Sequence, residues 1–173
     1  MLERENVIYK EVKEFIQKTA GDDLTIYNTA LLTTPPTIPN RIEFNVDNFI
    51  SKGHNYKENY ETQDDLFLGL RALYDCTIEI RVIDIPETAR SRMTKIVNGL
   101  NHSDFRNIYL NSLSIRPHTM YQHSYPVKQD GTIYNIERMV VKASFMLTDK
   151  FSIDWFNKII DTKLILDGKE EVI

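Results

Sequence analysis

Four histidines, one cysteine and an Asp75…Glu79-Ile80-Arg81 step are the residues of this 173-residue chain whose types could support chemistry. His118 and His123 stand five apart, while His54 and His102 are isolated. A zinc centre needs closely spaced His, Cys or carboxylate ligands, and no Cys partner, HExxH or adjacent carboxylate completes such a set. The histidines read as ordinary surface residues, and no metal site is expected. Asp75 with Glu79-Ile80-Arg81 faintly follows the metal-dependent nucleases, which hold a divalent cation on two carboxylates with a Lys near the attacking water. Arg81 stands where that Lys is wanted, and strand alternation accounts for an exposed Glu79–Arg81 row without any chemistry. Cys76 has no cationic neighbour to lower its pKa. A GxSxG elbow and Gly-rich phosphate loops are both missing. The chain reads as non-enzymatic, with no catalytic residue and no cofactor.

The tyrosines carry more. Tyr56, Tyr60, Tyr121, Tyr125 and Tyr134 lie in two polar stretches among Asn, Gln, Lys and His. Tyr offers large contact area with a polar handle and is enriched at protein interfaces, so these five are the candidate interface residues. The alternative is that each packs locally and anchors its own loop. Arg90, Arg92 and Lys95, followed by Arg106, form a small basic row that reads first as a solvated helix face. Asp22-Asp23, Asp64-Asp65 and Glu170-Glu171 are acidic pairs. An acidic lining would let DNA pass without gripping it, because like charges repel phosphate.

Composition sets the bounds. The length fits one domain able to bury a core. With 42% hydrophobic and 27% charged residues the chain belongs with globular proteins rather than disordered ones. A net charge of −4 and a pI near 5.6 give no basic footprint for nucleic acid. The N-terminal Met1-Leu2-Glu3-Arg4-Glu5-Asn6 lacks the apolar stretch of a signal peptide. No apolar run approaches the roughly 20 residues needed to span a bilayer. Single Cys76, with Tyr74 and Ile78 two residues to either side, suits a partly buried thiol in a reducing cytosol. A soluble protein without membrane contact is expected.

The elements that must position these residues follow from periodicity. Ile8, Val12, Phe15 and Ile16 recur at helical spacing, which predicts a helix over 5–20 stopped by Gly21. A short strand is expected over 24–27, a Pro-rich loop over 33–40, and a half-buried strand where Ile42, Phe44 and Val46 alternate with polar residues. The stretch 51–65 is polar and reads as a long connection or projecting arm. Residues 66–74 fit strand or irregular structure, and 77–84 alternate as a strand. Pro86 and Glu87 open a helix whose stripe is Ala89, Met93, Ile96, Val97 and Leu100, with Asn98-Gly99 and Asn101 weakening its end. A strand is expected over 107–116, then a second long polar connection over 118–131 with Asp130-Gly131 as its turn. A long strand over 136–148 follows. Trp155, Phe156, Ile159 and Ile160 predict a C-terminal helix over 152–161, and 164–168 reads as an edge strand or tail. The expected organisation is one α+β domain over 1–150, a sheet and two or three helices with long projecting loops. A C-terminal helix and short tail extend it over 151–173.

This order of elements is similar to that of the tail-terminator and neck-terminator (head-tail joining) proteins of tailed bacteriophages. The likeness runs through Cys76-Thr77-Ile78-Glu79-Ile80-Arg81-Val82-Ile83-Asp84 into Pro86-Glu87-Thr88-Ala89, and through Ile136-Glu137-Arg138 into the strand from Met139 to Leu147. It covers most of residues 5–150, is one of pattern rather than of a signature motif, and implies a mixed or antiparallel sheet packed against helices. It implies a virion structural protein assembled in the host cytoplasm, a homo-oligomeric ring that is commonly a hexamer. Such a ring sits at the neck or tail terminus, joins connector to tail proteins, and leaves a channel through which DNA passes without sequence-specific binding. The family carries no catalytic residues. Two other readings stay open: a generic protein-interaction module in phage assembly or a bacterial adaptor, and a metal-dependent nuclease.

Overall fold

The computed structural model describes residues 2–21, 23–31, 40–52, 56–61 and 66–152, with backbone alone for 2–5, 31, 56–61, 66–71 and 147–152. The expected Pro-rich loop, apart from Asn40, and the expected C-terminal helix and tail beyond Ser152 lie outside the described residues. Two compact units are present: Met1–Ile50 with Asp75–Phe145, and Ser51–Tyr74 with the chain from Met146.

The larger unit is α+β, as its patterning requires. Helix α1 (Leu2–Ala20) ends where Gly21, at φ +108°, donates its N–H to Gln17 O. That left-handed geometry costs glycine little. Strand β1 (Thr25–Asn28), a 3₁₀ turn (Thr29–Leu31) and strand β2 (Arg41–Ser51) follow. Strand β4 (Leu66–Asp84) enters this unit at Asp75, after β3 (Tyr56–Glu61) has been laid down in the other. Helix α2 (Pro86–Asn101) starts with Pro86 in its first turn, where a missing N–H leaves nothing unsatisfied. Helix α3 (Ser103–Tyr109), strand β5 (Ser114–Gln129) and strand β6 (Thr132–Ser152) complete the described elements.

The sheet order is β1-β2-β4-β6-β5, with β1 parallel to β2 and β5 antiparallel to β6, so the sheet is mixed. Alternation sorts its faces. Ile42, Phe44 and Val46 from β2, Cys76, Ile78, Ile80 and Val82 from β4, and Met139, Val141 and Ala143 from β6 are buried. They join Ile8, Val12, Phe15 and Ile16 of α1 and Ala89, Met93, Ile96 and Leu100 of α2 in the core. Tyr9 ties α1 to β2, donating its hydroxyl to Val46 O at 3.1 Å beside Phe44. The intervening residues, Glu43, Glu79, Arg81 and Arg138 among them, occupy the opposite face.

Three expectations are corrected here. Residues 107–116 are not one strand: Ser103–Tyr109 is helical and β5 begins at Ser114. His102 caps that helix by accepting Phe105 N–H on Nδ1, and Phe105 and Tyr109, one turn apart, pack ring against ring at 4.7 Å. Residues 118–131 are not a loop but the outer reach of a hairpin in which β5 and β6 pair from Tyr121↔Val140 to Gln129↔Thr132. Its turn has positive φ at both Asp130 (49°) and Gly131 (81°), the tight form whose twist matches the strands. The polar arm over 51–65 contains a strand, since in the smaller unit β3 pairs antiparallel with the first part of β4, Tyr56 opposite Arg71 and Glu61 opposite Leu66. Lys52 N–H donates to Leu73 O in that unit.

Candidate interaction surface

Three of the five candidate tyrosines come together on the β5–β6 hairpin. Tyr121 and Tyr125 point to one face because they are an even number of residues apart on β5, and His123 lies between them on that face. Tyr134 joins that face from β6, where its register partner is Val127. The rings form a row: Tyr121 and His123 are 6.4 Å apart with planes within 10°, and His123 and Tyr125 are 5.6 Å apart at 33°. Tyr56 and Tyr60 lie on β3, opposite Arg71 and Phe67. Sequence reasoning placed the tyrosines in loops. It missed His123 as the middle member of the row, although the every-second-residue spacing of Tyr121, His123 and Tyr125 is itself a strand signature.

A bulge sets the row apart from the first part of β5. Between the pairs Arg116↔Lys142 and Tyr121↔Val140, four residues of β5 face one residue of β6. The Thr119 hydroxyl fills the gap, donating to Arg116 O at 2.7 Å and accepting Lys142 N–H at 3.0 Å. Lost ladder bonds are thereby replaced by a side chain.

Beside the aromatic row runs a chain of ion pairs across β2, β4 and β6. Arg41 meets Glu43 at 2.7 Å, and Arg81 reaches both Glu43 (3.8 Å) and Glu79 (2.6 Å). Arg138 grips Glu79 with two hydrogen bonds, 2.8 and 3.1 Å. The Arg138 hydrogen bond, aided by Arg81, holds the Glu79 carboxyl below the usual carboxylate range against the opposing effect of burial. Glu79 raises Arg138 in return. Asp75 accepts from Arg116 at 2.8 Å. The two carboxylates of the nuclease reading are therefore each committed to a guanidinium. A small pocket of about 40 Å³, roomy enough for water, sits against Thr29, Glu43, Phe44, Asn45, Glu79 and Arg81.

On the hairpin's other face Glu137 is buried. Its Oε1 accepts from both Ser124 Oγ and Asn135 Nδ2, each at 2.8 Å, so that oxygen is partnered by neutral donors rather than by a cation.

Elsewhere the candidate groups are structural. Among the described residues no group of three or more His, Cys, Asp or Glu could hold a metal ion. Cys76 is buried, and desolvation pushes its thiol up to about 12. A groove of about 530 Å³ lies between the end of α1 and the first turns of α2. Its central cation, Arg92, donates to Ala20 O (2.8 Å) and to both carboxylate oxygens of Asp23 (3.0 and 2.7 Å). Arg92 therefore leaves the solvated basic row and becomes a clasp on the C-terminus of α1.

No protein-family model matches this chain, and no curated protein matches its sequence. No helix among the described residues is long and apolar enough to cross a membrane.

Proposed function

We propose that the protein is a ring-forming structural component of a tailed-bacteriophage particle, placed at the neck or tail terminus, where it joins connector to tail and leaves a channel for DNA. The element order supplies the family resemblance, and the observation that carries the reading is the outer β5–β6 hairpin. Its residues 126–133 are all exposed, and they include Val127 on one face and Ile133 on the other. A two-stranded ribbon is marginal by itself and gains stability when such apolar surface is covered by a neighbouring subunit. A closed ring needs this kind of head-to-tail contact between unlike patches.

The test is mass in solution and in the particle. Analytical ultracentrifugation of the purified chain is expected to give a closed oligomer, commonly six copies in rings of this kind, and the protein is expected in purified virions. Val127→Asp with Ile133→Asp is expected to yield monomers that melt as the wild-type subunit does. A chain that stays monomeric at every concentration and is missing from particles overturns the reading.

A further inference from the structure

The open face of the larger unit's sheet arranges its ion pairs in one sense. In every pair that borders the aromatic row, the guanidinium is the outer partner and the carboxylate the inner one. Arg138 is 35% exposed against 18% for Glu79, Arg116 37% against 17% for Asp75, and Arg81 41% against 18% for Glu79 and 9% for Glu43. The charges balance on paper, yet each pair is a dipole with its positive end toward solvent. The potential above the face is set by its nearest charges, and those are cations. Lys142 is exposed on this same face at the position facing Arg116 in the ladder, and no carboxylate pairs with it among the described residues. The inner carboxylates also hold the guanidinium planes in place, which a free arginine would have to lose conformational entropy to achieve.

Against this layer stand Tyr121, His123 and Tyr125, two of them exposed, with His123 directly across the ladder from Arg138. Rings at every second position along a strand are spaced about 6.8 Å apart, so they meet successive units of an extended polymer rather than a compact ligand. Outward guanidinium groups and aromatic faces on one sheet surface are the two elements of single-strand nucleic-acid binding: cations for the phosphates, rings for unstacked bases. A duplex would use the cations alone, since its bases stay stacked.

We infer that this sheet face, Arg81, Arg116, Arg138 and Lys142 beside Tyr121, His123 and Tyr125, binds single-stranded nucleic acid without sequence preference. The inference goes beyond the ring reading and does not depend on it, because subunit mass and oligonucleotide binding are separate measurements. The whole-chain charge of −4 conceals the site, since the acids responsible are beneath the surface here or elsewhere in the chain.

The experiment is fluorescence anisotropy of a labelled 20-mer of deoxythymidine, which has no secondary structure, titrated with the full chain at low salt. Saturable binding that weakens steeply as salt rises is expected. Tyr121→Leu with Tyr125→Leu removes the rings and keeps apolar bulk, and is expected to weaken binding about tenfold or more. Tyr121→Phe with Tyr125→Phe keeps the rings and is expected to bind as wild type does. Lys142→Glu reverses an exposed charge and is expected to weaken binding and flatten its salt dependence. The inference is overturned if the wild type does not bind the 20-mer. It is equally overturned if the Leu and Phe pairs bind alike, or if a 20-bp duplex binds as tightly, since either result means attraction by charge alone.

Discussion

Glu79 is held by two guanidinium groups, and this gives the protein a pH signature. Its carboxyl is drawn below the ordinary value of 4.5, first by the Arg138 hydrogen bond. A carboxyl depressed in the folded state contributes stability that is fully present above 4.5 and is lost as pH falls through the folded value. Asp23 acts in the same sense, drawn from 3.8 to about 2 by its Arg92 hydrogen bond. Thermal melts are therefore expected to be flat above about pH 5 and to fall as pH drops below 4.5. Arg138→Gln is expected to lower stability at neutral pH and to shallow that acid fall, and parallel curves for variant and wild type would refute the assignment. The partners of Glu79 were only half legible in the sequence. Arg81 is two residues away on the same strand, where alternation puts both on one face. Arg138 is 59 residues away, and only strand order brings it alongside.

Among the elements, α1, α2 and β2 were legible because each shows an unbroken period in its apolar residues. Helix α3 was not, since its seven residues hold a single i, i+4 aromatic pair in polar surroundings. The outer part of β5 was hidden by Pro117 and Pro126 and by the bulge, which breaks the alternation at 117–120. Gly99 shows why a local signal misleads. Asn98-Gly99 reads as the weakening of a helix, yet α2 runs on to Asn101 because α1 and α2 touch at Gly99. A Cβ added there would lie 2.7 Å from Thr19 Cγ2 and 3.2 Å from the Phe15 ring. Helix propensity alone favours Ala over Gly by about 1 kcal/mol, while overpacking at a crossing costs about 1–3 kcal/mol. Gly99→Ala is expected to destabilise on balance. Thr19→Ser removes the obstructing methyl and keeps the hydroxyl that donates to Phe15 O and Ile16 O, so Gly99→Ala is expected to be tolerated in that background. A denaturant-melt double-mutant cycle measures the coupling, and additive effects would show that the contact is not the cause.

For the whole molecule, composition and periodicity were enough to reach an α+β class, since they depend on averages that single misread segments do not change. Whether the sheet is mixed or antiparallel was left open, and only the parallel pairing of β1 with β2 decides between the two. Cys76 offers a probe at this scale, because its thiol lies in the core and burial pushes it up to about 12. At pH 8 the native protein is expected to react with Ellman's reagent far more slowly than the urea-unfolded chain, at a rate that tracks opening of the core. Equal rates for the two forms would mean that β4 opens locally. Edge strand β5 carries a further consequence. Sixteen residues of strand at the end of a sheet would ordinarily invite any passing extended chain to add on. Pro117 and Pro126 offer no N–H to such an intruder, and the bulge that begins at Pro117 breaks its register. Two ring nitrogens and one kink thus stand between this exposed edge and fibril growth.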